Sequence, residues 1–117
     1  MIDETLVSNL VSELRRGTQI LAVLAQLNTG KYGYALLQDL ADQGAPIEAG
    51  TLYPLLRRLE TQGILNSTWD TQESRPRKYY TLSPQGKELY TRLIAEWTTL
   101  RTTLDRILSE EPHAPTH

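Results

Sequence analysis

The sequence predicts a mainly α fold with a small β-hairpin, and three observations point there. Apolar residues recur at helical spacing through most of the 117-residue chain. That period gives way once, over residues 64–82, to two short runs rich in Ile, Thr, Trp and Tyr around a polar loop. A breaker-poor stretch then follows Ser83-Pro84 and continues to Pro112, with only an early Gly86 in it.

Ile2, Leu6, Val7, Leu10, Val11 and Leu14 fall on one face and predict an N-terminal helix over 2–14, ended by Arg15-Arg16-Gly17. Thr18 is placed to cap a second helix with an apolar stripe at Ile20, Leu21, Val23, Leu24 and Leu27. A third helix, Tyr34 to Gln43, buries Leu36, Leu37, Leu40 and Ala41 and stops at Gly44. The fourth runs to about Gln62, with Gly63 after it as the stop. Its Leu52, Leu55, Leu56 and Leu59 share about 100° of arc, leaving Gly50, Tyr53, Pro54, Arg57, Arg58 and Thr61 opposite.

Two short helices joined by a tight turn make a helix-turn-helix, whose second helix is the reader. Strands at Ile64–Asp70 and Arg77–Leu82 form the wing, and Trp69 is expected to pack. The fold class is therefore a winged helix-turn-helix (1–82) plus a long C-terminal dimerisation helix (83–108) and a disordered tail (109–117). Serine as cap and proline at the first helical position start that long helix.

Pro54 leaves two readings open. A helix beginning near Ala49 places it inside, at about 3 kcal/mol, whereas a start with Thr51 as cap puts it where no N–H is needed.

Net charge is −2, but the charge is divided. Between Gly50 and Tyr80 there are five bases (Arg57, Arg58, Arg75, Arg77, Lys78) and three acids (Glu60, Asp70, Glu73), a local +2. Acids gather toward both ends. A basic middle fits phosphate contact, with Thr51, Tyr53, Arg57 and Arg58 on the reading helix and Arg75, Arg77 and Lys78 at the hairpin tip. Read singly, each patch is equally a solvated surface.

Tyr90, Leu93, Trp97, Leu100, Leu104 and Ile107 are spaced 3, 4, 3, 4, 3, a heptad seam that calls for a facing helix. A 13-residue first helix cannot cover it, so two copies meeting through first and last helices, Leu6 and Leu10 included, are expected. Trp97 is either plain interface core or, paired with its copy, the wall of a slot for a flat aromatic effector.

No cysteine is present, so disulfides, thiolate metal sites and cysteine nucleophiles are excluded. His113 and His117 sit beside prolines and make no metal site, and no cofactor is expected. No carboxylate pair, nucleophile elbow or phosphate-cradling loop suggests an enzyme. No apolar run reaches the roughly 20 residues of a membrane span, and nothing at the start resembles an export signal, so a cytoplasmic location is expected.

The residues Leu14-Arg15-Arg16-Gly17-Thr18, Tyr32-Gly33-Tyr34, Gly50-Thr51-Leu52-Tyr53-Pro54-Leu55-Leu56-Arg57-Arg58-Leu59-Glu60, Gly63-Ile64-Leu65, Arg77-Lys78-Tyr79-Tyr80 and Gly86 together resemble the PadR-type regulators. The resemblance spans Leu14 to Leu108 and implies a homodimeric repressor of the smaller subgroup, with one C-terminal helix. It implies inverted-repeat operators on double-stranded DNA and release by phenolic acids or flat drugs. It places Thr51, Tyr53 and Pro54 near DNA on the reading helix and Arg77 and Lys78 on the wing, and Tyr34 joins the DNA-facing set through its motif. Tyr32 and Glu48 depart from the histidine and capping serine common in the family. The rival reading is a winged-helix module that binds protein through its heptad helix.

Overall fold

The computed structural model describes residues 1–72 and 74–110. The expected tail lies mostly outside them: Ser109 still belongs to the last helix and Glu110 follows it as a turn. Four helices and a three-stranded sheet follow in the order α1 (Glu4–Gln26), β1 (Lys31–Tyr32), α2 (Gly33–Asp42), α3 (Ala49–Thr61), β2 (Leu65–Asp70), β3 (Arg77–Leu82) and α4 (Pro84–Ser109). The sheet is antiparallel with β3 in the middle, in the order β1-β3-β2.

The first correction concerns α1. The expected helix over 2–14 and its successor are one helix, capped by the Asp3 carboxylate on the Thr5 amide. Thr18 is no cap; its hydroxyl donates to the Arg15 carbonyl at 2.9 Å, inside the helix. Gly17 costs about 1 kcal/mol relative to alanine in a helix interior. That cost is small against the burial of Val23, Leu24 and Leu27, about two to three turns onward, all fully enclosed. Position 17 also has open space around it, so no tertiary contact forces a break there.

The core is one cluster: Val23, Leu24 and Leu27 from α1, Leu36 and Leu40 from α2, Leu52, Leu56 and Leu59 from α3, with Ile64, Leu65, Tyr80 and Leu82 from the sheet region. Ala41, expected inside, faces solvent. Trp69 is also a correction: it is 62% exposed on the outer side of β2, across from Lys78 in the register.

Ser83 joins three elements. Its hydroxyl accepts from the Gly86 amide at 2.9 Å, capping α4, and donates to the Gly63 carbonyl at 2.6 Å. Its own amide bonds the Ile64 carbonyl at 3.0 Å. Gly63, at φ 79°, takes the left-handed turn that ends α3. Gly86 lets α4 approach so closely that a Cβ there would stand 2.1 Å from the Ile64 carbonyl oxygen.

The wing is tied to α3 by Glu60, which accepts from the Ser67 hydroxyl and pairs with Lys78 Nζ at 3.1 Å. The Ser67 hydrogen bond, then Lys78, hold this carboxyl below the usual carboxylate range. A lowered folded pKa stabilises the fold above the unfolded value of about 4.3, and the contribution drains away as pH falls through the lower folded value. Glu60→Gln keeps an acceptor for Ser67 but removes that titration. Urea midpoints of the wild type should therefore exceed those of Glu60→Gln at pH 7 and converge with them toward pH 3. A constant gap across that range would contradict the assignment.

Candidate nucleic-acid interface

Helix α3 is held by its leucines, and its opposite face is open. Leu52, Leu56 and Leu59 are buried, whereas Thr51, Pro54, Arg57 and Arg58 are exposed. The helix starts at Ala49, with Glu48 in the cap position making no side-chain capping bond. Pro54 therefore lies inside the helix, which decides between the two readings of its place. Its ring removes the donor that Gly50 would otherwise receive, at a cost the buried leucines offset.

Tyr53 is only half-exposed, because its ring lies over the start of α2. A Cβ at Gly33 would come within 2.8 Å of that ring, so the glycine of Tyr32-Gly33-Tyr34 permits the close packing of the two helices.

The wing differs from expectation in where its bases sit. Arg77 and Lys78 open β3, opposite Asp70 and Trp69, and do not stand at the hairpin tip; Arg75, in the loop, is exposed. Arg77 Nη1 donates to the Tyr34 hydroxyl at 3.0 Å, its Nη2 lies 3.5 Å from Asp70 Oδ2, and its guanidinium covers the Tyr32 ring at 4.3 Å. Tyr32 in turn stacks on Tyr34 and donates its hydroxyl to Asp70 Oδ2 at 2.6 Å. That hydrogen bond, followed by one from the Gln72 amide, holds the Asp70 carboxyl below the usual range and pushes the Tyr32 phenol up. Tyr34 stays 55% exposed, at the junction of wing and α2. Lys78 is shared between Glu60 and the faces of Trp69 and Tyr80, 5.6 and 5.7 Å from the ring centres. The acids that organise the wing, Asp70 and Glu60, were missed as partners from sequence, although Asp70 and Arg77 oppose each other once the hairpin register is fixed.

The heptad seam divides in two. Tyr90 and Leu93 pack against the chain's own core, while Ile94, Trp97, Leu100, Leu104, Ile107 and Leu108 are 37% to 59% exposed. On α1 the matching half, Leu6, Leu10, Val11 and Leu14, is also exposed. The premise of a 13-residue first helix is corrected, since α1 has 23 residues and spans about 34 Å. Even so, it leaves the outer seam uncovered. Trp97 lines an apolar groove of about 410 Å³ with Gly17, Ile20 and Leu21 of α1, Leu93 and Leu100 of α4, and Arg58 and Gln62 at the end of α3.

Among the described residues no cluster of metal-ligating side chains occurs, and no helix is long and apolar enough to cross a membrane. His113 and His117 lie outside those residues.

Residues 20–92 match the Transcriptional regulator PadR-like family. The chain is similar to the crystal structure of a PadR family transcriptional regulator from Eggerthella lenta, at 48% identity and a TM-score of 0.87, over 92% of this chain and 96% of that one. It is also similar to a PadR-like transcriptional regulator from Bacillus cereus, at 25% identity and a TM-score of 0.74, over 85% of this chain and 99% of that one. The transcriptional regulator Rv3488 of Mycobacterium tuberculosis is 38% identical over 51% of this chain and 56% of its own length. This winged helix-turn-helix chain with its long terminal helix belongs to the PadR-like family of transcriptional regulators, which are DNA-binding proteins and not enzymes.

Proposed function

We propose that the protein represses transcription as a homodimer seated on an inverted-repeat operator and is released by a small aromatic effector. The observation that carries the DNA contact is the open face of α3, where Thr51, Pro54, Arg57 and Arg58 stand exposed behind a fully buried leucine edge. A helix so anchored enters the major groove and reads base edges, while basic side chains beside it meet phosphates. Arg75 extends the basic surface along the wing loop, and Tyr34 joins it at the wing's base.

The pairing of two copies is supported by the uncovered apolar residues of α1 and α4. Full burial of one such side chain contributes about 1.5–3 kcal/mol, and the isolated chain forgoes much of it at each position. A two-fold pair burying these edges also sets two reading helices at a fixed separation, which an inverted repeat with half-sites about 34 Å apart matches. The effector reading rests on Trp97 and its groove, which touches α1, α3 and α4 together, so a bound flat molecule contacts both the seam and the end of the reading helix.

Binding to the duplex upstream of the protein's own gene should fall about 10³–10⁵-fold between roughly 50 and 200 mM salt, as expected for about 6–10 phosphate contacts. Arg57→Ala should weaken operator binding by about 1–3 kcal/mol and random DNA by less, as for a base-edge contact. A flat salt response would instead favour a protein-binding module. Leu100→Glu combined with Leu104→Glu should halve the mass seen in sedimentation; an unchanged mass would remove the seam from the interface. Planar aromatic compounds should quench Trp97 fluorescence in a Trp69→Phe background and lower operator affinity. If no compound in a broad panel does either, the effector role is lost.

A further inference from the structure

We propose that Arg16 of α1 is a DNA phosphate contact that flanks the reading helix on the side away from the wing. The proposal rests on the DNA-binding reading above and adds a contact from a helix outside the helix-turn-helix. Arg16 and Gln19 of α1 line one open groove of about 630 Å³ with Gly50, Thr51, Pro54 and Arg58 of α3, and no acid contributes to its walls. One flank of α3, from Gly50 to Arg58, is thus a wall of the groove and the arginine pair its basic lining.

The direction of the groove follows from the helix period. Glu60 points to the wing, as its bonds to Ser67 and Lys78 show. Arg58, two residues earlier, lies about 160° around the helix from it, on the flank that faces α1. A helix with its side chains is about 10–12 Å across and the major groove about 12 Å wide, so a seated α3 brings a phosphate backbone to each flank. The wing meets one of them. Arg58 and Arg16 are placed to meet the other.

The two flanks also differ in how their bases are held. Arg77 and Lys78 are engaged with Asp70 and Glu60. Arg16 and Arg58 are exposed, and among the described residues neither side chain makes a hydrogen bond or ion pair. Two arginines sharing an acid-free groove fit an anion supplied from outside, and next to the start of a reading helix that anion is a backbone phosphate.

The test compares full-length wild type, Arg16→Ala, Arg16→Lys and Arg15→Ala on operator and random duplexes across a salt series. Arg15 serves as control because it lines a different cleft, against Ala45 and Pro46. Arg16→Ala should weaken both duplexes alike and make the salt slope shallower by about 1 per subunit bound. Arg16→Lys should keep the wild-type slope, and Arg15→Ala should leave slope and affinity unaltered. A steep wild-type slope that Arg16→Ala does not change removes this assignment alone, as does an equal loss from Arg15→Ala. A wild type without salt-dependent binding removes the DNA reading and the Arg16 contact with it.

Discussion

Three leucines on one edge of α3 govern where everything else in the site can be. Leu52, Leu56 and Leu59 are each exposed by 2% or less, packed among side chains from α1, α2 and the sheet region. A helix fixed along that edge has no freedom to rotate, because turning it would expose three leucines and bury arginines, at several kcal/mol for each group exchanged. Thr51, Pro54, Arg57 and Arg58 are presented outward as a consequence of this packing. The interior Pro54 is tolerated for the same reason: the rigid apolar edge offsets the one hydrogen bond the ring deletes.

The wing is organised by charge instead. Its two strand-borne bases answer to two acids, Arg77 to Asp70 and Lys78 to Glu60, and the tyrosines at 32 and 34 complete the cluster. These pairs are half-exposed, so their worth as stability is small, and their larger effect is geometric. Glu60 is on α3, so its pair with Lys78 ties β3 to that helix, whereas Arg77 and Asp70 clamp the two wing strands to each other.

The sequence announced some of this and hid the rest for physical reasons. The cap at Ser83, the strands to within a residue and the length of α4 were legible because each depends on local chemistry: a hydroxyl beside proline, a change of period, an absence of breakers. The buried edge of α3 was legible from its leucine spacing. Gly17 misled because a local penalty of about 1 kcal/mol is visible in sequence, whereas the distant packing that outweighs it is not. β1 has two residues and no periodicity to detect; it exists only because β3 offers Tyr79 and Tyr80 as partners. Trp69 was misplaced because β-strand faces are assigned by alternation, and which face meets the core depends on the helices behind the sheet. Arg15-Arg16 read as punctuation. Only the unbroken helix brings Arg16 beside α3.

That unbroken helix is also what connects the molecule's two surfaces. The outer half of α1 carries Leu6 and Leu10 and the inner half carries Arg16 and the core leucines, within one rod of about 34 Å. Had the chain broken at Gly17, the apolar end could have tilted while the basic groove stayed still. A continuous helix couples them, since any repacking of its exposed edge turns or shifts the wall against which α3 is set. The groove at Trp97 touches the same rod at Gly17, Ile20 and Leu21, and touches α3 at Arg58 and Gln62. The groove thus joins the exposed apolar edge and α3 through one helix. The coupling requires no disordered segment or second domain; it follows from one glycine being held in a helix by its neighbours.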